Sequence, residues 1–364
     1  MFNVSIGIRY SSHIVKMVAR TNSLKYTELI HAMLFCALCL PALQTLSLNC
    51  SIYLARVRLR ESSLYEQRSR SLSAGMAGVS GGDEDLVVIY NRVPKTGSTS
   101  FVGVAYDLCK ANAFKVLHIN ITANMHVMTL NNQYHFAQNV SNWSAVKPAL
   151  YHGHMAFLNF DRLGVNSKPL YINLVRKPLD RLVSYYYFLR FGDNFRPHLI
   201  RKKAGNKMSF DECVELNQAD CDPNNMWLQI PFFCGHAADC WKPGNKWALE
   251  QAKKNLLDHY LVVGVTEELL DFVSILEMTL PRIFKGATEH FLSSNKSHLR
   301  QTTAKVAPSD KTINKIQKSN VWKMENELYE FALEQFNFIK KKTLLNKDPN
   351  SVPQSYMYEK IRPK

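Results

Sequence analysis

Nowhere in its 364 residues does the chain carry G-x-x-x-x-G-K-[ST], and no acidic metal-ligand set accompanies the phosphate-like loop it does have. Both are needed to cradle a nucleoside triphosphate with its magnesium, so a phosphatase or kinase of that kind is disfavoured. Negative charge is also scarce, 30 Asp and Glu against 45 Lys and Arg, for a net charge of +15. Residues 1–85 hold only 9 of the basic and 6 of the acidic residues, so the remainder keeps +12 and the excess is no tail effect. Such a surface suits nucleic acid, acidic lipid or an acidic polysaccharide, and composition alone does not choose among them. Internal repeats are absent. Tight C-x2-C pairs are missing from the group Cys213, Cys221, Cys234 and Cys240, whose spacings are C-x7-C and C-x5-C. With only His236 among them this is a poor zinc module, whereas two disulfides in an oxidising compartment fit well.

Charge is missing altogether from Leu29 to Ala55, and 29–48 is long enough to span a bilayer as a helix. The run begins 28 residues in, which favours an anchor over a cleaved signal peptide. Sequons at Asn120, Asn139, Asn142 and Asn295 all follow it and, with the cysteines, place the larger part in the secretory lumen. The expected organisation is a cytoplasmic tail over 1–28, a transmembrane signal anchor over 29–48, a stem over 49–85 rich in Arg, Glu, Ser and then Gly, and a luminal domain over 86–364. Such an organisation would be that of a single-pass type II membrane protein.

Apolar, β-rich runs at 86–91, 115–119, 169–175 and 260–265 alternate with stretches of helical spacing. The pattern predicts an α/β fold with a central, largely parallel sheet flanked by helices. The spacing of Leu328, Phe331, Ala332 and Phe336 predicts a core-facing helix over 321–341.

The first strand runs directly into Lys95-Thr96-Gly97-Ser98-Thr99-Ser100 and a helix. A helix N-terminus, a glycine that admits close approach, four hydroxyls and a mobile ammonium make an anion site. The third run ends in Arg176, with Ser184 eight residues on, a second pair able to converge on a phosphate at the carboxyl edge of the sheet. Tyr151-His152-Gly153-His154 supplies a base: alternate residues of an extended segment share a face, and a neutral imidazole accepts a hydroxyl proton near pH 7.

These motifs carry a resemblance. R-V-P-K-T-G-S-T-S resembles the 5′-phosphosulfate loop of sulfotransferases that use 3′-phosphoadenosine 5′-phosphosulfate (PAPS), and the Arg176/Ser184 spacing is that of their 3′-phosphate pair. With Y-H-G-H (151–154), R-L-V-S-Y-Y-Y-F-L-R-F-G-D (181–193), W-L-Q-I-P-F-F-C-G-H (227–236), V-G-V-T-E-E-L (263–269) and W-K-M-E-N-E-L-Y-E-F-A-L-E-Q-F (322–336), the chain resembles the heparan sulfate 2-O-sulfotransferase family over about 86–364. The resemblance implies a P-loop-like sulfotransferase fold in the Golgi membrane, PAPS as sulfate donor with no metal, and heparan sulfate, not nucleic acid, as the partner of the basic surface. It implies His154 as catalytic base, His152 as its neighbour on the uronic acid, and Lys95 as stabiliser of the leaving group. Thr96, Gly97, Ser98, Thr99 and Ser100 match the 5′ loop, Arg176 and Ser184 the 3′-phosphate pair, and Ser297, Arg300, Thr302 and Thr303 a loop closing over the nucleotide.

Arg92, Tyr106, Arg190, Arg196 and Arg201 match positions that meet the acidic sugar chain. The resemblance also implies pairing of Cys213 with Cys221 and of Cys234 with Cys240, and homotrimers whose C-terminal arms reach a neighbour. Gly97 stands where the family usually has alanine, and Lys177 where it has an acidic residue. Enzymes that act instead on uronic acids of dermatan or chondroitin sulfate share the fold and the cofactor motifs, so that activity is the alternative. A catalytically silent glycosaminoglycan-binding protein would be expected to lack His154 or Lys95, and both are present.

Overall fold

The computed structural model describes residues 83–121, 125–165, 167–294, 301–302 and 304–345. The chain divides into two units, Met1–Arg70 and Ser71–Lys364, and every described residue belongs to the second. The tail, the anchor, the stem up to residue 82 and the C-terminal arm therefore lie outside the described residues, as do Asn295, Ser297, Arg300 and Thr303. Among the described residues no helix is long and apolar enough to cross a membrane.

Five strands form the sheet: β1 (Val87–Asn91), β2 (Lys115–Ile119), β3 (Ala149–Gly153), β4 (Leu170–Val175) and β5 (Tyr260–Val265). Around them lie α1 (Ser98–Leu108), α2 (Leu130–Asn142), α3 (Pro178–Phe191), α4 (Phe210–Glu215), α5 (Gln229–Cys234), α6 (Lys246–His259), α7 (Leu269–Thr279), α8 (Pro281–Phe284), α9 (Ala287–Ser293), α10 (Asp310–Gln317) and α11 (Asn320–Lys340). The order is β2-β3-β1-β4-β5 and every pairing is parallel, so the expected α/β fold is the one observed. All four apolar runs are strands. The fifth strand, β3, ends at Gly153, so His152 belongs to it and His154 lies just beyond.

Central strands of a parallel sheet are covered on both faces and read as unbroken apolar runs. Accordingly all five residues of β1 are buried, while edge strand β2 exposes Lys115 and His118. Helix α3 opens with Pro178, which leaves no N–H unpaired, and carries Asp180 in its first turn and Arg190 in its last, matching the helix dipole at both ends. Leu328, Ala332 and Phe336 of α11 are buried as their spacing requires, and Phe331 is half-buried with the Lys253 ammonium over its ring. Beneath the strand ends, Asn173 Nδ2 donates to the Asn91 carbonyl (2.8 Å) and to Asn91 Oδ1 (3.0 Å), and Tyr260 Oη donates to the same Oδ1. This network ties β1, β4 and β5 together. The disulfides Cys213–Cys221 and Cys234–Cys240 are both formed.

Chain direction decides where chemistry can gather. From β1 the chain crosses to β2 and returns to β3 on one side, then passes to β4 and β5 on the other. Such a reversal opens a crevice at the carboxyl ends of the central strands, the usual ligand position in an open α/β sheet.

Candidate active site

Four strands deliver their next residues to this edge: Arg92 to Gly97 follow β1, His154 follows β3, Arg176 follows β4 and Thr266 follows β5. They surround a cavity of about 770 Å³, a size ordinary for a nucleotide-sized ligand. Lys95, Gly97, Ser98, Thr99, Ser100, His154, Arg176, Ser184 and Thr302 all line it. Tyr185, Phe188, Leu269, Leu270 and Phe291 add an apolar wall.

The anion loop is held in an unusual backbone conformation. Lys95 has φ of 69° and Gly97 has φ of 74°, both in the left-handed region, which a lysine seldom occupies. At Gly97 a Cβ would also lie 3.2 Å from Thr266 Cγ2. Helix α1 then starts at Ser98 with no side-chain cap, so its positive end is presented to the cavity. Thr266 locks the loop to the sheet, its hydroxyl lying 2.9 Å from the Thr96 carbonyl and 3.0 Å from that of Val175. Thr96 departs from the hydroxyl-donor expectation: it is fully buried and Oγ1 donates back to the Val93 carbonyl at 2.9 Å, bracing the turn.

Both anion subsites are physically linked. Arg176 Nη1 donates to the Lys95 carbonyl at 3.2 Å, Lys95 Nζ donates to Thr302 Oγ1 at 3.0 Å, and Thr302 Oγ1 lies 3.3 Å from Ser184 Oγ. The Lys95 ammonium also sits 4.3 Å from the centroid of the Phe188 ring, a favourable cation–π placement. Thr302 is brought in by an antiparallel bridge to Asp193, so the one described member of the predicted closing-loop set does reach the site.

His154 Nδ1 lies 2.8 Å from the Arg92 carbonyl oxygen, which can only accept. Nδ1 therefore carries the proton and Nε2 keeps its lone pair, the form a base requires. Burial, and next the Arg92 guanidinium, lower its pKa to about 3, so the ring is neutral at physiological pH. His152 is buried and turned elsewhere: its Nε2 is 2.9 Å from Tyr106 Oη and its ring stacks on His118 at 4.9 Å. Burial and Arg92 bring it likewise to about 3. β3 ends between the two histidines, and of the two only His154 lines the cavity, while His152 stays close by beside the shared Arg92.

The predicted acceptor residues separate into two groups. Arg92 is half-buried beside both histidines, Tyr106 is 47 % exposed, and Arg196 is exposed on the segment after α3. Arg201 reaches Asp193 at 3.5 Å and stacks over Phe188 at 4.3 Å. Arg190, by contrast, is buried, pairs with Asp220 at 2.8 Å and stacks 3.6 Å over Tyr186, which turns its guanidinium into the protein interior. Lys177 is exposed, and its backbone N–H donates to Glu267. The sequon residues Asn120, Asn139 and Asn142 are exposed. Among the described residues no group of three or more His, Cys, Asp or Glu is placed to hold a metal ion.

Sequence reasoning missed the polar lining residues Asp180, Thr266, Glu267, Gln301 and Lys305. Thr266 had a usable signal, since it follows the fourth apolar run and so must arrive at the same sheet edge.

Comparison with known proteins agrees with this geometry. The profile of the Sulfotransferase family matches residues 82–332. A Drosophila melanogaster protein named Heparin sulfate O-sulfotransferase is 67% identical over 282 residues, covering 78% of this chain and 80% of that protein. The Heparan sulfate 2-O-sulfotransferase 1 proteins of Xenopus laevis and Homo sapiens are 57% and 56% identical over 284 residues, with the same coverage of each chain. An anion loop and a neutral histidine at one sheet edge, together with matches spanning that whole edge, show that the chain belongs to the sulfotransferase family.

Proposed function

We propose that the chain transfers the sulfuryl group of PAPS to the 2-hydroxyl of hexuronic acid, chiefly iduronic acid, in heparan sulfate, as a homotrimeric type II glycoprotein of the Golgi membrane. One observation carries the reading: a neutral His154, with its proton on Nδ1, opens on the same cavity as Lys95 and Arg176. The residues fit the donor. A left-handed glycine at an uncapped helix start, with Lys95 beside it, suits the 5′-phosphosulfate, and Arg176 with Ser184 suits the 3′-phosphate.

When bound, PAPS supplies an activated sulfuryl group. His154 Nε2 takes the proton of the acceptor hydroxyl, which raises the nucleophilicity of its oxygen. The Lys95 ammonium and the N–H groups at the start of α1 offset the charge that develops on the departing bisphosphate. Arg92, Arg196 and Arg201 meet carboxylates and sulfates of the chain, since guanidinium pairs with such groups in bidentate fashion.

Incubating the full chain with labelled PAPS and either N-sulfated heparosan or dermatan, and mapping the product disaccharides, tests this. Label at the uronic acid C2 hydroxyl of heparosan is expected. Label in dermatan alone would move the activity to dermatan or chondroitin sulfate, and label in neither would leave a binding protein without turnover.

A further inference from the structure

Gln229, the first residue of α5, is fully buried and bonds both backbone groups of Arg176: Oε1 accepts from the Arg176 N–H at 2.9 Å and Nε2 donates to the Arg176 carbonyl at 3.0 Å. A strand neighbour would normally supply those bonds. Pairing of β4 with β1 stops at Ile172 and with β5 at Val175, so Arg176 is the first residue past the ladder. The Gln229 amide stands in for the missing strand.

The orientation of that amide is set from behind. Glu325 of α11 is fully buried and its Oε2 lies 3.3 Å from Gln229 Nε2. A carboxylate facing an amide accepts from its nitrogen, which puts the Gln229 nitrogen towards the Arg176 carbonyl and the oxygen towards its N–H. Glu325 Oε1 in turn accepts from the backbone N–H groups of Leu228 (2.8 Å) and Ile230 (3.1 Å), with Arg181 as the neighbouring positive charge. A continuous hydrogen-bonded path thus runs from the core face of α11 through Gln229 and Arg176 to the Lys95 carbonyl of the anion loop.

We infer that Gln229, oriented by Glu325, is a positioning residue that aims Arg176 at the 3′-phosphate of the donor, a role that rests on the PAPS reading above. Recognition of a phosphate by a planar guanidinium depends on direction as well as charge, so freeing the backbone of Arg176 weakens the 3′ contact selectively. A residue that served only to cap α5 would affect both ends of the nucleotide alike.

The test measures calorimetric affinity of the full chain for adenosine 3′,5′-bisphosphate and for adenosine 5′-monophosphate, which lacks the group Arg176 would read. Wild type is expected to prefer the bisphosphate. In Gln229→Met that preference falls by about tenfold or more while monophosphate affinity stays within about twofold, a loss on the scale of one charge-assisted hydrogen bond. Glu325→Gln, which presents an N–H to Gln229 Nε2 and turns the amide, gives a smaller loss in the same direction, and it carries the test if Gln229→Met does not fold. Unchanged preference, or equal weakening of both nucleotides, overturns the proposal while leaving the donor reading intact. A wild type with no preference for the bisphosphate removes the donor reading and the proposal with it.

Discussion

The carbonyl oxygen of Arg92 lies 2.8 Å from Nδ1 of His154, and this contact ties the imidazole to the segment leading into the 95–100 loop. Because a main-chain carbonyl fixes the tautomer, no change of the Arg92 side chain removes that bond. His154→Ala is expected to retain adenosine 3′,5′-bisphosphate binding within about twofold and to lose roughly 10²- to 10⁴-fold in kcat, the usual contribution of a positioned general base. Single-turnover transfer from labelled PAPS measures the second quantity and calorimetry the first. A normal rate would mean that another group takes the proton.

The buried histidines give a signed pH prediction. His152 and His154 are lowered to about 3 and His236 to about 4, chiefly by burial, from an ordinary 6.5. Between pH 6.5 and about 4 the unfolded chain binds protons that the folded chain refuses, so their stabilisation is complete above 6.5 and is lost as pH falls. Glu325, which burial pushes up to about 7, acts oppositely and costs stability as pH rises through that range. The histidines outnumber it, so the urea midpoint is expected to fall from pH 7.5 to 5. For the same reason kcat/KM should show no inflection near 6.5 from His154.

Gly153 separates the two histidines, and a Cβ there would lie 2.5 Å from the Ile119 carbonyl oxygen on β2. Gly153→Ala therefore forces β3 away from its neighbour at the point where His154 is held. A destabilisation of about 1–3 kcal/mol, the usual cost of overpacking, is expected in urea unfolding, with a larger proportional loss of transfer rate.

Two arginines that look alike in sequence should fail differently. Arg190→Ala breaks a pair whose arginine is buried and whose Asp220 is a quarter exposed, and is expected to cost about 3 kcal/mol, the low end for such pairs. Arg196→Ala, at an exposed position, should leave the unfolding midpoint unchanged and raise KM for heparosan. Thermal unfolding alongside acceptor titration separates the two, and a stable Arg190→Ala would contradict its interior placement.

Much of this arrangement was legible because its signals are local. Strands β1, β4 and β5 are covered on both faces and announce themselves as apolar runs, while the anion loop and the Arg176/Ser184 pair each fall within nine residues. Direction was not legible: nothing in R-L-V-S-Y-Y-Y-F-L-R tells that Arg190 turns inward to Asp220, 30 residues away. The Gln229 clamp joins residues 53 and 96 positions apart, and such pairings leave no periodic trace. The different contacts of His152 and His154 were not legible either, since alternation holds only while the strand lasts and β3 stops at Gly153.

The order of the strands has a consequence for how this chemistry can diversify. The cavity-lining Lys95, Arg176 and Thr266 follow β1, β4 and β5, whereas His154 follows β3 and the exposed Arg196 comes from the segment after α3. The Asn91, Asn173 and Tyr260 network ties β1, β4 and β5 together, and Asn91 is also the ladder partner of Gly153 at the end of β3. The segment after α3 also carries Asp193, which bridges to Thr302 and through it to Lys95, so replacing that loop would move the Lys95 contact together with the exposed Arg196: the two halves of the site share one hinge pin.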